Sequence, residues 1–228
     1  MNTIINPALP EYKRKTVLRM GLRILFYCSV LAGITGIVFL DAQHPDFEHR
    51  FSEQSMTEYA QELLLLLTIL VFLLCYKFFP DQEVITYLVG GFLGMAFIRE
   101  YDAFLDSNVA DGFWPVLAYS LAAICAYLIY KQRNQFWDQL EGFIQNRAFG
   151  IFITGLMIVF IFSRLYGYNL MWETVMGENY MYVVTRASEE AIELLGYTLI
   201  FLGATEYFFS LRNLHERYPD KADQLLNA

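Results

Sequence analysis

The sequence predicts an all-α polytopic membrane protein, folded as a bundle of six transmembrane helices with both termini in the cytoplasm. The 228 residues are 56% hydrophobic and 17% aromatic, with a mean hydropathy of +0.35, which is too apolar for an ordinary soluble domain. Six apolar segments approach the roughly 20 residues that a helix needs to cross a bilayer. Lysine and arginine collect at alternate ends of these segments. We interpret residues 1–228 as a single integral membrane domain.

The first three segments are separated by polar stretches. Val17–Leu40 follows a basic stretch and lacks a small-residue cleavage site before Asp41, so we interpret it as a retained helix and not as a signal peptide. Thr57–Lys77 begins with acidic residues and ends shortly before Pro80, which favours a turn. Ile85–Leu105 then runs back and ends among charged residues.

The last three segments are bounded in the same way. Phe113–Tyr130 starts after a glycine and ends at a lysine. Phe149–Tyr168 follows an arginine and ends beside Gly167, and Ser188–Leu211 opens with a hydroxyl residue and three glutamates. Six crossings place the first and last residues on the same side of the membrane.

The distribution of basic residues predicts the orientation, because short loops rich in lysine and arginine stay in the cytoplasm. Twelve of the sixteen lysines and arginines fall on one side, together with both termini. We therefore expect a cytoplasmic N-terminal segment at 1–16, a cytoplasmic tail at 212–228, and localisation to the cell membrane, which in a bacterium is the inner membrane. The outward side has Arg50, Arg99, Arg164 and Arg186 against fifteen acids: Asp41, Asp46, Glu48, Glu53, Glu58, Glu62, Glu100, Asp102, Asp106, Asp111, Glu173, Glu178, Glu189, Glu190 and Glu193.

Several of these charged residues lie within the outward ends of apolar helices, where charge is costly and usually functional. Glu58 and Glu62 are four residues apart and share one helix face, and Tyr197 continues the face of Glu193 at the same spacing. The sequence predicts that four helices bring charge to one level of the membrane. The candidate binding residues are Glu58, Glu62, Arg99, Glu100, Asp102, Arg164, Arg186, Glu189, Glu190, Glu193 and Tyr197.

The acids in this set outnumber the arginines by seven to three, which leaves about four carboxylates uncompensated. Buried like charges cannot all ionise, so the surplus is protonated, hydrated or bound to a cation. Hard divalent cations accept ligation by oxygen atoms alone, which makes Ca²⁺, Mg²⁺ or Mn²⁺ the expected cofactor if there is one. The candidate metal ligands are Glu62, Asp102, Glu189 and Glu193.

Two simpler explanations remain open. Glu58 and Glu189 follow hydroxyl residues in what look like first helical turns, where such pairs cap free N–H groups. Capping explains Glu62 and Glu193 less well, because they lie a turn deeper. In the second explanation the helices start later in the sequence, and most of these acids are simply hydrated helix ends.

The sequence also excludes several kinds of site. The histidines, His44, His49 and His215, lie in loops or the tail, which argues against haem and zinc ligation by membrane helices. We find no Walker loop, and therefore expect no nucleotide cofactor. The net charge of -8 argues against a nucleic-acid partner.

Glycines recur on several predicted helices. Small residues let membrane helices approach closely, so we interpret these positions as packing surfaces that also allow a homo-oligomer or a membrane partner. Membrane lipids are the other expected partners. The glycines are Gly33, Gly36, Gly90, Gly91, Gly94, Gly150 and Gly155.

Two functional classes fit these observations. In the first, the outward carboxylate and arginine site binds a cation, a proton or a polar headgroup, and the protein has a sensing, transport or scaffold role. In the second, the protein is a metal-dependent, hydrolase-like intramembrane enzyme that acts on a lipid at the outer leaflet. No catalytic signature decides between them, so catalytic residues are not assigned.

Overall fold

The computed structural model describes residues 11–47, 49–52, 55–102, 105, 109–110 and 112–217, and every regular element within these residues is helical. The all-α class is therefore confirmed. Several residues named above lie outside the described residues: Glu48, Glu53, Asp106, Asp111, and the terminal stretches 1–10 and 218–228.

We number eight helices in the described part of the chain. Two of them, α3 and α6, are each interrupted by a π-helical turn, which inserts an extra residue and rotates everything that follows it. The helices are α1 Glu11–Ala42, α2 Met56–Phe78, α3 Glu83–Ile85 with Thr86–Gly90 (π) and Gly91–Glu100, α4 Trp114–Lys131, α5 Phe136–Gln145, α6 Arg147–Met157 with Ile158–Phe162 (π) and Ser163–Tyr166, α7 Asn169–Met176, and α8 Tyr182–Arg217.

Five stretches are long and apolar enough to cross a membrane, counting only the residues that the structure describes. This agrees with a membrane protein and with five of the six predicted spans. The spans of the structure are Val17–Ala42, Met56–Phe78, Trp114–Lys131, Arg147–Tyr166 and Tyr182–Glu216.

The predicted span Ile85–Leu105 corresponds to α3, which differs from the others. Glu83, Arg99 and Glu100 all lie within α3, so the helix is less apolar than the rest. It nevertheless runs between the same two ends of the bundle as α2. At its start Gln82 accepts a hydrogen bond from Tyr207 of α8, and just past its end Tyr101 bonds to the first half of α2. A sixth crossing remains a prediction.

Helix α1 is held to the bundle by polar contacts near its C-terminal end and near its middle. At one end the carboxylate of Asp41, only 3% exposed, accepts the backbone N–H of Thr57 at 3.0 Å. Near the middle of α1, Arg23 donates to Glu206 of α8 at 2.8 Å, and the Tyr27 hydroxyl also donates to Glu206. Most side chains between these contacts are exposed.

The starts of α2 and α8 decide between the simpler explanations for the acids. Ser55 caps α2 by accepting the backbone N–H of Glu58, so capping does place Glu58 in a first turn. Helix α8, in contrast, begins at Tyr182, six residues before the predicted start. Ser188 donates to the Val184 carbonyl oxygen within that helix, so neither it nor Glu189 caps anything.

The core of the bundle is built around α8, which packs against α2 and α6. Tyr207 is almost fully buried, and its ring lies 6.3 Å from that of Phe72 on α2 and 4.9 Å from that of Phe143 on α5. Leu194 and Ile200 are fully buried above it. This aromatic and aliphatic core fixes α2 and α6 on either side of α8.

The glycines divide into two groups. A Cβ atom added at Gly91 would lie 2.5 Å from the sulfur of Cys125, and one at Gly155 would lie 2.7 Å from the carbonyl oxygen of Gly196 on α8. Helices α3 and α4, and α6 and α8, therefore touch closely, and Gly94 belongs to the same contact. The expectation of packing within the chain is wrong for Gly33, Gly36 and Gly150, since no atom of the described residues lies within 4 Å of a Cβ added there.

Candidate functional site

The predicted charged residues meet at one end of the bundle, where α2 begins and α3 and α6 end. Helix α8 passes through this level and supplies the largest share of the acids. We refer to this set as the acid–arginine cluster: Glu58, Arg99, Glu100, Arg164, Glu189, Glu190, Glu193 and Tyr197.

The first part of the cluster lies between α2 and α8, which Gln61 links through Glu190. The carboxyl groups of Glu58 on α2 and Glu190 on α8 lie close enough to interact electrostatically. Gln61 on α2 is only 4% exposed. Its side-chain amide holds Glu190 of α8 in place by donating to the carboxylate at 2.8 Å and to the backbone oxygen at 3.0 Å.

The second part joins α6 to α8 through an ion pair. Arg164 contacts the carboxylate of Glu189 at 3.2 Å and bonds closely to that of Glu193. Ser163 also donates to Glu193, at 3.1 Å. The π turn of α6 ends immediately before these two residues, so it sets the direction in which they face α8.

A glycine keeps room for this ion pair. A Cβ atom added at Gly167 would lie 2.3 Å from the carboxylate of Glu189. Any larger residue at this position would have to push that carboxylate away. Since Arg164 holds the same carboxylate, the absence of a side chain at Gly167 is part of the geometry of the site.

The third part joins α3 to α8. Arg99 pairs with its neighbour Glu100 at 3.0 Å, and the buried hydroxyl of Tyr197 donates to the same carboxylate at 3.4 Å. The guanidinium side chain remains 55% exposed, whereas that of Glu100 is 21% exposed. The positive charge therefore faces outward while the carboxylate faces the bundle.

Three predicted site residues lie beside the cluster. Glu62 accepts the hydroxyl of Tyr101 at 2.9 Å. Arg186 donates to the backbone oxygen of Arg50 at 2.7 Å and so braces the loop between α1 and α2. Asp102 is partly buried just beyond the end of α3.

The predicted metal ligands are not gathered in one place. Glu189 and Glu193 share Arg164, whereas Glu62 contacts Tyr101. Within the described residues, no three His, Cys, Asp or Glu side chains are grouped so as to hold a metal ion. A divalent cation at Glu62, Asp102, Glu189 and Glu193 therefore stays a prediction without a geometric grouping behind it.

A cavity of about 420 Å³ opens beside the cluster, and we call it the cluster cavity. Two arginines, two glutamates and a tyrosine form one part of its wall, and apolar side chains of α3, α4 and α6 form the rest. Such a wall suits a molecule with a charged head and an apolar body. The lining residues are Phe92, Met95, Ala96, Arg99, Glu100, Trp114, Ala118, Val159, Phe160, Arg164, Glu193 and Tyr197.

Sequence reasoning missed Gln61, Ser163 and Gly167, which position the charged groups. None of the three has a charge, so the search for ionisable residues at membrane depth passed over them. Gln61 could have been predicted, because it lies three residues after Glu58 and so faces the same side of α2.

The chain was also compared with protein-family models, curated proteins and solved structures, and no match was found.

Proposed function

We propose that this chain is an integral membrane protein with six crossings, whose acid–arginine cluster faces outward and binds the polar headgroup of an amphiphile in a sensing or scaffold role. The observation that supports the proposal best is the composition of the cluster cavity, in which charges of both signs sit at one end of an apolar wall. In a bacterium the membrane would be the inner membrane and the cluster would face the periplasm.

The charges of the cavity favour a zwitterionic headgroup. Arg99 and Arg164 are both more than half exposed and offer guanidinium groups, which bind phosphate well. Glu100 and Glu193 offer carboxylates to an ammonium group beside them. Phosphate and ammonium together form the headgroup of phosphatidylethanolamine, and its acyl chains would lie along the apolar wall.

The headgroup proposal predicts a lipid-dependent melting temperature of the purified protein in neutral detergent. Phosphatidylethanolamine in mixed micelles should raise the melting temperature, because a ligand that binds only the folded state stabilises it by mass action. Arg99→Gln and Glu100→Gln should each need about fivefold more lipid for the same rise in melting temperature, which corresponds to about 1 kcal/mol of binding free energy. Arg50→Gln, at the same end of the bundle but outside the cavity lining, is the matched control.

Two results would contradict the headgroup proposal. Phosphatidylcholine, which has no N–H donors for the carboxylates, would stabilise the protein equally well if the cavity recognised only acyl chains. Millimolar Ca²⁺, Mg²⁺ or Mn²⁺ would stabilise it if the site were a cation site, and Glu62→Gln with Glu193→Gln would then abolish the effect. Stabilisation by a divalent cation would also favour the alternative function, a metal-dependent intramembrane enzyme.

The proposed orientation makes a separate prediction about topology. The described basic residues Arg14, Lys15 and Arg19 lie at the opposite end of the bundle from the cluster, as do Lys131 and Arg147. A reporter fused after residue 45 should therefore be active outside, and one fused at the C-terminus should be active inside. A cytoplasmic signal from the fusion after residue 45 would overturn the orientation.

A further inference from the structure

A second cavity, of about 660 Å³, lies at the end of the bundle opposite the acid–arginine cluster. It is formed where α5 ends and α6 begins, beside α1 and the last turns of α8. Arg23, Arg147, Asn146 and Asn213 are among its lining residues. We call it the basic cavity.

The charge around the basic cavity is positive. A smaller cavity of about 210 Å³ shares Arg23 with it and adds Arg19 and Arg212. The two cavities together are lined by four arginines and two glutamates. Both glutamates are already paired, Glu206 with Arg23 and Glu216 with Arg212.

Two of the four arginines are available to a ligand. Within the part of the chain that the structure describes, no ion pair joins Arg19 or Arg147 to an acidic side chain. Both side chains are exposed. The surplus positive charge therefore has no internal counterion in the described residues, which suits an anion.

The backbone adds a further attraction for an anion. Arg147 is the first residue of α6, whose free N–H groups give this end of the helix a partial positive charge. Asn146 caps the helix by accepting the N–H of Ala148 at 3.0 Å, and its own amide donates to Ser210 of α8 at 2.9 Å. The cap thus fixes the start of α6 against α8 at the wall of the cavity.

The surroundings place the basic cavity at the depth of lipid headgroups. Helix α5 borders it and is amphipathic: Phe143 is buried in the core, whereas Asp138, Glu141 and Gln145 are exposed. Such helices lie in the membrane interface. On the other side, Leu22 and Phe26 of α1 are exposed next to Arg23 and would face acyl chains.

We propose that the basic cavity binds the phosphate group of an anionic lipid, with its acyl chains along the exposed apolar face of α1. The proposal does not depend on the function assigned to the acid–arginine cluster, because no residue is shared between the two cavities.

The test measures the melting temperature of the full chain in neutral detergent with three additives: phosphatidylglycerol, phosphatidylcholine and inorganic phosphate. Phosphatidylglycerol should raise the melting temperature of the wild type more than phosphatidylcholine does. Arg147→Gln should require about fivefold more phosphatidylglycerol for the same shift. Arg19→Gln, on a different helix, should act in the same direction if Arg147→Gln fails to fold.

Arg133→Gln is the matched control, because Arg133 lies at the same end of the bundle but stacks on Tyr130 outside both cavities. An equal loss in Arg133→Gln and Arg147→Gln would show a diffuse attraction to anionic micelles and would overturn the proposal. Stabilisation by inorganic phosphate that Arg147→Gln abolishes would assign the cavity to a soluble phosphate compound and would exclude the lipid.

Discussion

Replacing Gly155 with alanine is expected to destabilise the folded protein by about 3 kcal/mol, at the upper end of what an extra methyl group in a packed core usually costs. The new Cβ atom would lie 2.7 Å from both the carbonyl oxygen of Gly196 and the backbone nitrogen of Ile200. These are backbone atoms of α8, so they cannot move aside as a side chain could. Helices α6 and α8 would have to separate.

Gly150→Ala is the matched control for this prediction, since Gly150 lies on the same helix and no atom in the described part of the chain lies within 4 Å of a Cβ added there. Alanine favours a helix over glycine, so this variant should unfold at the same or a slightly higher denaturant concentration. Equilibrium unfolding of both variants in mixed micelles provides the comparison. Equal stabilities of the two variants would mean that α6 and α8 do not touch at Gly155.

Arg164→Gln is expected to cost about 2 kcal/mol of stability, less than for a fully buried ion pair because the arginine is partly exposed. The substitution leaves Glu189 and Glu193 without their cation, and the side chain of Glu193 is only 13% exposed. Adding Glu193→Gln should recover about half of the loss, because it removes the stranded charge. Unfolding of the wild type, Arg164→Gln, Glu193→Gln and the double variant measures the coupling free energy between Arg164 and Glu193.

Gly167→Ala tests the contact between Arg164 and Glu189 by a second route. It should push the Glu189 carboxylate off Arg164 without moving any backbone, so its effect on stability should be small in the wild type. In the Arg164→Gln background the effect should disappear, because there is no longer a contact to break. An additive effect in both backgrounds would show that Gly167 and the ion pair are independent.

Much of the helical bundle could be predicted because apolar runs set the length of a membrane helix. The second span, predicted at Thr57–Lys77, is observed at Met56–Phe78. The prediction was wrong where charge was assumed to mark the edge of a helix. The glutamates after Ser188 suggested a helix start, yet α8 begins at Tyr182, since Arg164 and Gln61 from neighbouring helices satisfy those acids.

The candidate site could be predicted as a set of charges but not as a set of pairs. Periodicity placed the acids of α2 and α8 at one level, and there Gln61 of α2 donates to the carboxylate of Glu190 of α8. Which carboxylate would meet which arginine depends on how the helices are rotated about their axes. The π turns of α3 and α6 change that rotation, and an apolar run such as Ile158–Phe162 has no sequence signal for one.

The pairing of α2 with α8 also imposes an order in time on the biosynthesis of this protein. Gln61 and Glu190 are 129 residues apart. At a translation rate of roughly 5 to 20 residues per second, Gln61 is made about 6 to 26 seconds before its partner. Arg164 is made only 29 residues before Glu193, so this arginine waits for its partner for a much shorter time than Gln61 does. A nascent chain that stops before α8 therefore lacks the partner that Gln61 has in the folded protein.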